Sequence, residues 1–395
     1  MKILKHPVNR YFFTIISEAL MALVNVITAI VIAQNFDTEY FATYLSIAAV
    51  LAIISIPMQS VQNAYAIGTQ KPSLSTNNYL NHTSVNKLFV FLSLIWLCSI
   101  PFLYIYSEIE ISTLIASSAL FFVLFPSTVV SGKLRNLQQF SEWRLLLAIT
   151  SMFQIPVVIM TAVLKLDLWT YLLLLCIPSL LYVSLASLVF KLTVLTDKKM
   201  VFVKWTSLLY SVVFSFSFQL PLVLAAKLLS ESEIKSILIF YFFSITISLG
   251  SVFGTFFVPR FLSGSFVPKL RSKTNLVFCT PSILLGIILF TPIKHVFPLI
   301  FGEKYSISLS GGFGLLFLLS SVIWSIYSSH AQIRLGIISW RILTGGIMIL
   351  VLEGFYLILF VKSFNEIIMV HFIASIFQFI NLNEQKNQQS SKSTI

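Results

Sequence analysis

The sequence predicts an all-α integral membrane protein of about twelve transmembrane helices, in two six-helix halves related by a pseudo-twofold axis along the membrane normal. Three observations predict this fold class: the composition, a series of long apolar segments, and the distribution of Lys and Arg between those segments. The composition is 57% hydrophobic and only 10% charged, with 37 Phe residues. A soluble protein carries about 25% charged residues, so this chain is predicted to lie in a membrane.

Apolar segments recur along the whole chain, each close to the roughly 20 residues that a helix needs to cross a bilayer. In order they are residues 11–33, 42–66, 88–107, 111–130, 145–164, 168–190, 203–226, 236–258, 275–300, 306–328, 337–361 and 364–381. The segments between them are short and leave no room for a soluble domain. The predicted division is an N-terminal six-helix bundle (1–200), a C-terminal six-helix bundle (201–381) and a polar cytoplasmic tail (382–395).

Lys and Arg fall mainly on one set of alternate segments between the predicted helices. If the N-terminus is cytoplasmic, 20 of the 26 basic residues lie on the cytoplasmic side. Membrane proteins show the same excess of Lys and Arg in their cytoplasmic loops. If one helix had been missed, every loop after it would be assigned to the wrong side and the excess would disappear. The bias therefore supports the span count and places both termini in the cytoplasm. It also accounts for the net charge of +12 without a nucleic-acid partner.

Weak internal similarity appears when the chain is shifted by about half its length. "FDTEYF" (36–41) aligns with "SESEIK" (230–235), and "YSEIEISTL" (106–114) aligns with "FGEKYSISL" (301–309). With six spans on each side, the matches favour two parallel repeats, a plan that many transporters use with the substrate path between the halves. A coincidence of loop spacing remains the alternative.

The sequence lacks the local patterns of several enzyme classes. It contains no phosphate-binding glycine loop, no cluster with metal-ligand spacing and no Ser, His and Asp at plausible spacing. Cys98, Cys176 and Cys279 are scattered through apolar segments, which argues against disulfides or a metal site. We therefore expect no catalytic residue, no metal and no cofactor.

Polar side chains inside the predicted spans are the candidates for a functional site. A carboxylate near the centre of a membrane helix costs about 2.5–3.5 kcal/mol, so it normally faces the bundle interior or an aqueous cavity. The cavity or coupling candidates are Glu18, Asn25, Gln59, Asn63, Gln219 and Glu353. Structural roles remain open, because polar residues also tie helices together and Glu18 could pair with Arg10. His371 is a further candidate, for proton relay.

Several features together resemble the O-antigen and polysaccharide flippases of the Wzx type, within the multidrug, oligosaccharidyl-lipid and polysaccharide exporter superfamily. They are twelve spans in two halves, a basic N-terminus, and three loop segments. The segments are the acidic "NFDTEYFATY" (35–44), "GKLRNLQQFSEW" (132–143) and "FGEKYSIS" (301–308). The resemblance covers nearly the whole chain by layout.

The resemblance implies a protein of the bacterial inner membrane that moves an undecaprenyl-diphosphate-linked oligosaccharide from the cytoplasmic to the periplasmic leaflet by alternating access. It implies that Lys204, Arg260 and Arg341 contact the diphosphate and that Glu18 and Glu353 couple transport to protons or another cation. A polysaccharide polymerase and chain-length proteins are the implied protein partners. A multidrug or metabolite antiporter of the same superfamily is the alternative. A membrane polymerase or glycosyltransferase fits less well, because every predicted outer loop is short and lacks Arg.

Overall fold

The computed structural model describes residues 7–67, 82–107, 109–136, 140–190, 200–202, 205–228, 274–290, 297–301, 311–334, 338–361 and 363–392. The chain divides into two compact units, Met1–Lys204 and Trp205–Ile395, called here the N-terminal and C-terminal units. Apart from two strands of three residues, the regular elements in the described ranges are helices. This confirms the predicted all-α class.

The N-terminal unit contains eight described helices and both strands. They are α1 (Pro7–Asn35), α2 (Thr38–Ile67), β1 (His82–Ser84), α3 (Val85–Ser107), α4 (Ile111–Asn136), α5 (Phe140–Ser151), α6 (Gln154–Leu164), α7 (Leu168–Leu174), α8 (Cys176–Phe190) and β2 (Met200–Phe202). α4 packs against α2, α7 and α8, while α1 packs along α5 and α6. The core therefore forms around α4, whose buried residues include Phe121 and Val130.

Two of the predicted spans are interrupted helices, at points that a proline explains. Pro156 has no N–H to donate to the carbonyl oxygen of Met152, and its ring crowds that oxygen. The chain tightens at this point, where the Phe153 N–H donates to the Thr150 carbonyl oxygen, and α5 ends before α6 begins. Pro178 has the same spacing from Leu174, the last residue of α7. The single helices predicted over 145–164 and 168–190 are therefore each two helices.

The short antiparallel sheet was not expected from the sequence. β1 pairs with β2 in the register His82–Phe202, Thr83–Val201 and Ser84–Met200. β2 also contacts α2. The strand precedes the seventh predicted span (203–226), which corresponds to a helix that begins at Trp205.

The C-terminal unit contains six described helices. They are α9 (Trp205–Leu228), α10 (Thr274–Phe290), α11 (Phe297–Phe301), α12 (Gly311–Arg334), α13 (Trp340–Phe360) and α14 (Phe364–Lys392). α12 packs against α10 and α14, and α13 packs against α9 and α14. α14 continues beyond the predicted span end at 381, so the described part of the polar tail is helical.

The helices have the length and apolar character of membrane spans. Within the described residues, six helical stretches are long enough to cross a bilayer, with α5–α6 and α7–α8 each counted as one stretch: Ile111–Leu134, Leu145–Leu164, Leu168–Phe190, Gly314–Ala331, Trp340–Phe360 and Phe364–Asn383. Five shorter apolar helices accompany them: Leu20–Asn35, Thr38–Ile53, Phe89–Ile105, Leu208–Leu224 and Thr274–Leu284. Large apolar side chains such as Met348, Val351 and Phe355 point outward, as lipid contact requires. The predicted span 236–258 and the repeat segments 230–235 and 302–309 lie outside the described residues.

Candidate functional site

A carboxyl group and an imidazole meet in the interior of the C-terminal unit. Glu353 on α13 and His371 on α14 approach to 2.8 Å between Oε1 and Nδ1, and their side chains are almost completely buried. Glu353 points inward because it shares one helical face with Ile342, Gly346 and Leu357, all buried. Its other oxygen, Oε2, is buried and has no hydrogen-bond partner among the described residues.

Aromatic side chains surround the imidazole on its α12 side. The ring of Trp324 stacks on His371 with 5.1 Å between centroids and 12° between planes. Trp324 is fully buried, and it also contacts Phe214, Phe218 and Tyr327. These apolar surfaces hold water away from the pair, which strengthens the electrostatic interactions of any charge that forms there.

A second buried polar network joins four helices of the same unit. The hydroxyl groups of Tyr210 on α9 and Tyr327 on α12 lie 2.5 Å apart. The amide nitrogen of Gln378 on α14 donates to the Ser217 hydroxyl and to the Gly346 carbonyl oxygen, both at 3.1 Å. The network lies next to the Glu353–His371 pair, since Tyr327 contacts Trp324. It ties α9, α12, α13 and α14 together around that pair.

The interface of α10 and α12 is polar but tightly packed. The Ser282 and Ser325 hydroxyls are 2.6 Å apart, and the Ser321 hydroxyl donates to Ser282 at 2.8 Å. Nε2 of His330 lies 3.0 Å from Oδ1 of Asn275. All these hydroxyls are fully buried, so they serve interhelical hydrogen bonding in the conformation described.

The N-terminal unit has a polar corner at the predicted outer ends of its helices. Nζ of Lys165 donates to the carbonyl oxygen of Asn35 at 2.6 Å and lies 5.4 Å from the centroid of the Phe36 ring. Phe36 stacks on Tyr40, whose hydroxyl donates to the Leu166 carbonyl oxygen at 3.4 Å. Burial, followed by the charge of Asp167, raises the pKa of Tyr40 above its ordinary value. The phenol therefore keeps its proton and its role as donor over the ordinary pH range.

The side chains singled out from the sequence are not gathered at one point. Gln219 is buried on α9, and Glu353 is buried in the pair. Asn25 is exposed on α1, whereas Thr28, three residues further along, is buried. Arg341 is exposed in the first turn of α13, which Ser339 caps. The following lie outside the described residues or side chains: Glu18, Gln59, Asn63, Lys204 and Arg260.

Two serines of α9 lie in the interior of the C-terminal unit. Ser211 and Ser215 are buried, and their hydroxyls donate to the carbonyl oxygens of Leu208 and Ser211 on the same helix. Both hydroxyl groups therefore bond to the backbone of their own helix. Bonds of this kind satisfy a hydroxyl locally and need no aqueous cavity.

Sequence reasoning missed two features. Trp324 was not noticed, because nothing in the local pattern shows that a tryptophan will stack on a distant histidine. Lys133 was assigned to a loop after a span ending at 130, yet α4 continues to Asn136 and Lys133 is only 8% exposed on it. Gly132 lies just before Lys133 and is a typical residue at a helix end, so the local pattern gave no signal that the helix continues.

The His, Cys, Asp and Glu side chains of the described ranges do not gather into a metal site. No group of three or more His, Cys, Asp and Glu side chains comes together there in a way that could hold a metal ion. The Glu353–His371 pair offers two suitable side chains, one fewer than such a group.

Comparison with known proteins identifies the fold of the chain. No family model and no curated protein sequence matches the chain. Among solved structures, the chain is similar to the lipid II flippase MurJ in its inward closed conformation, with a TM-score of 0.56 and 12% identity over 96% of this chain and 87% of that one. The protein has the fold of that membrane transporter. The similarity extends over nearly the whole length of the chain, so the fold covers both units.

Proposed function

We propose that the protein flips an undecaprenyl-diphosphate-linked oligosaccharide repeat unit from the cytoplasmic to the periplasmic leaflet, for O-antigen or related surface polysaccharide synthesis. The observation that carries this proposal is the similarity in fold, over 96% of the chain, to a protein described as a lipid II flippase. We further propose that the chain acts as a transporter of the bacterial inner membrane and not as an enzyme. Both termini lie in the cytoplasm.

The physical task explains why such a lipid needs a protein. A diphosphate and a glycan cannot enter hydrocarbon without losing their hydrogen bonds to water, at a cost of several kcal/mol for each unsatisfied group. The polyprenyl chain can stay in the bilayer throughout. The proposed path therefore encloses the head group alone, with Asn25, Gln59, Asn63 and Gln219 as candidate polar contacts.

The diphosphate is proposed to bind basic side chains near the cytoplasmic ends of the helices. Arg341 is the described candidate, exposed in the first turn of α13. Its guanidinium can bond two phosphate oxygens at once, whereas a Lys ammonium acts as a point charge. Lys204 and Arg260 complete the proposed set. A polysaccharide polymerase and chain-length proteins are the proposed protein partners.

Reconstituted vesicles test the proposal directly. A fluorescent undecaprenyl-diphosphate oligosaccharide in the inner leaflet should become accessible to an external quencher when the protein is present. Arg341→Gln should slow this exchange, and Arg341→Lys should retain part of it because the charge remains.

In cells, deletion of the gene should leave the lipid-linked repeat unit on the cytoplasmic leaflet. If the deletion strain has normal surface glycan and normal pools of the lipid carrier, the flippase proposal is rejected. If that strain has instead lost drug efflux, the antiporter is favoured.

Coupling to a proton or another cation is proposed to involve Glu18 or Glu353. Glu18→Gln and Glu18→Ala are the matched variants. Both remove the carboxylate, but Gln keeps the shape of the side chain and Ala does not. If Glu18 carries a coupling cation, neither variant should support glycan export at normal protein abundance. Full complementation by both would leave Glu18 without a role in coupling.

A further inference from the structure

Glu353 and His371 form a site whose chemistry is more specific than a buried ion pair. The pair holds one proton between a carboxyl group and an imidazole in either of two forms. One form is a carboxylate with an imidazolium, and the other is a carboxylic acid with a neutral imidazole. The 2.8 Å separation of Oε1 and Nδ1 suits both forms, so the surroundings decide between them.

The surroundings favour the uncharged form. A carboxylate would bury negative charge on Oε2, which has no hydrogen-bond donor among the described residues. A carboxylic acid leaves only a neutral carbonyl oxygen at that position, which costs much less. Two separated charges in a dry interior also pay a desolvation penalty that their attraction often fails to repay.

The described side chains of the neighbouring helices supply no compensating charge. The other titratable or charged side chains described on the four helices that enclose the pair are Tyr210 of α9, Tyr327 and His330 of α12, Arg341 and Tyr356 of α13, and Glu366 of α14. The two tyrosines bond to each other and His330 bonds to Asn275. The other three side chains are exposed.

We propose that Glu353 is a proton-carrying site, a protonated carboxylic acid whose O–H donates to Nδ1 of His371. Release begins when the proton moves from Oε1 to Nδ1, which gives a carboxylate and an imidazolium. Loss of the Nε2 proton to water then leaves the carboxylate beside a neutral imidazole. The face of Trp324 stabilises the intermediate imidazolium, since an aromatic face attracts a cation.

Exchange requires water at this site, so the proton stays in place while the helices are packed as they are here. Transport coupling by this proton rests on the proposed function, but the protonation itself does not. The protonation of Glu353 and the coupling of transport to its proton can therefore be rejected independently of each other.

Infrared spectroscopy of the purified full-length protein tests the protonation. At neutral pH we expect a carbonyl stretch of a protonated carboxylic acid that shifts slowly in D₂O, because exchange needs opening of the packed helices. Glu353→Gln should remove the band, and His371→Gln should move it by changing the acceptor. The matched control is Glu366→Gln, which should leave the band unchanged, since Glu366 is exposed and accepts from the Ser363 N–H.

The result is decisive even if a variant misfolds. Labelling the glutamate carboxyl carbon with ¹³C in the otherwise unchanged protein must move the same band. A wild-type protein with no such band at neutral pH overturns the proposal, and so does a band that survives in Glu353→Gln. If the band is present and assigned to Glu353 but the vesicles show no flipping, the proton site stands and the flippase proposal fails.

Discussion

The Lys165 ammonium donates to the carbonyl oxygen of Asn35, 2.6 Å away, at the end of α1. The last carbonyl groups of a helix have no partner within it and carry partial negative charge, so a cation there stabilises the helix end. Lys165 itself has φ 51° and ψ 44°, the left-handed conformation that ends α6. One residue thus ends α6 and caps α1.

Removal of the Lys165 charge should lower stability by about 0.3–1 kcal/mol, the range for a cation at a helix C-terminus near the surface. Lys165→Gln should show this loss as a lower melting temperature in detergent. Lys165→Asn removes the same charge but tolerates positive φ better, so it should melt above Lys165→Gln. Equal melting of Lys165→Gln and the wild type would mean that the contact contributes nothing.

The glycines of α13 provide a matched pair of substitutions. A Cβ at Gly354 would meet Leu220 at 3.5 Å, an ordinary contact, whereas one at Gly345 would meet Oδ1 of Asn381 at 2.5 Å. Asn381 would have to move, and it donates to the Ile342 carbonyl oxygen at 2.8 Å. Alanine stabilises a helix over glycine by about 1 kcal/mol, and a lost hydrogen bond costs about the same. Gly354→Ala should therefore raise the melting temperature, and Gly345→Ala should leave it near or below the wild-type value.

The Gln378 amide should be coupled energetically to Ser217. Gln378→Leu and Ser217→Ala each break the interhelical bond at 3.1 Å, so the double variant should lose less than the two single losses added together. Coupling across membrane helices averages about 0.6 kcal/mol, and unfolding measured in mixed micelles resolves a difference of that size. Ser282→Ala in place of Ser217→Ala is the control, because Ser282 bonds to α12 and not to Gln378. Strict additivity with Ser217→Ala would show that the bond is not formed in the native protein.

The orientation is testable with reporter fusions at Asn78 and Glu39. The positive-inside bias predicts Asn78 in the cytoplasm and Glu39 on the outer side. A cytoplasmic reporter should be active at Asn78, and a periplasmic one at Glu39. The opposite pattern would reverse the proposed direction of transport, since Arg341 would then lie on the periplasmic side.

The helices were predictable because the signal for them is local. All eleven predicted spans that overlap described residues coincide with helices, and the largest difference is at the twelfth, where α14 ends at Lys392 rather than 381. The breaks near Met152 and Leu175 were less visible, because the position of a break depends on which carbonyl group a proline leaves without a donor.

The sequence by itself determined the class, since the length and apolarity of each segment and the alternation of basic residues are properties of single stretches of chain. It also marked Glu353 and His371 as expensive groups to place in hydrocarbon. Only the tertiary structure decided that these two residues meet, with Trp324 against the imidazole, because α12, α13 and α14 must pack before side chains so far apart along the chain can touch. The physical reason is that the cost of a buried polar group is set by its neighbours, and neighbours across helices are not encoded in any single stretch of sequence.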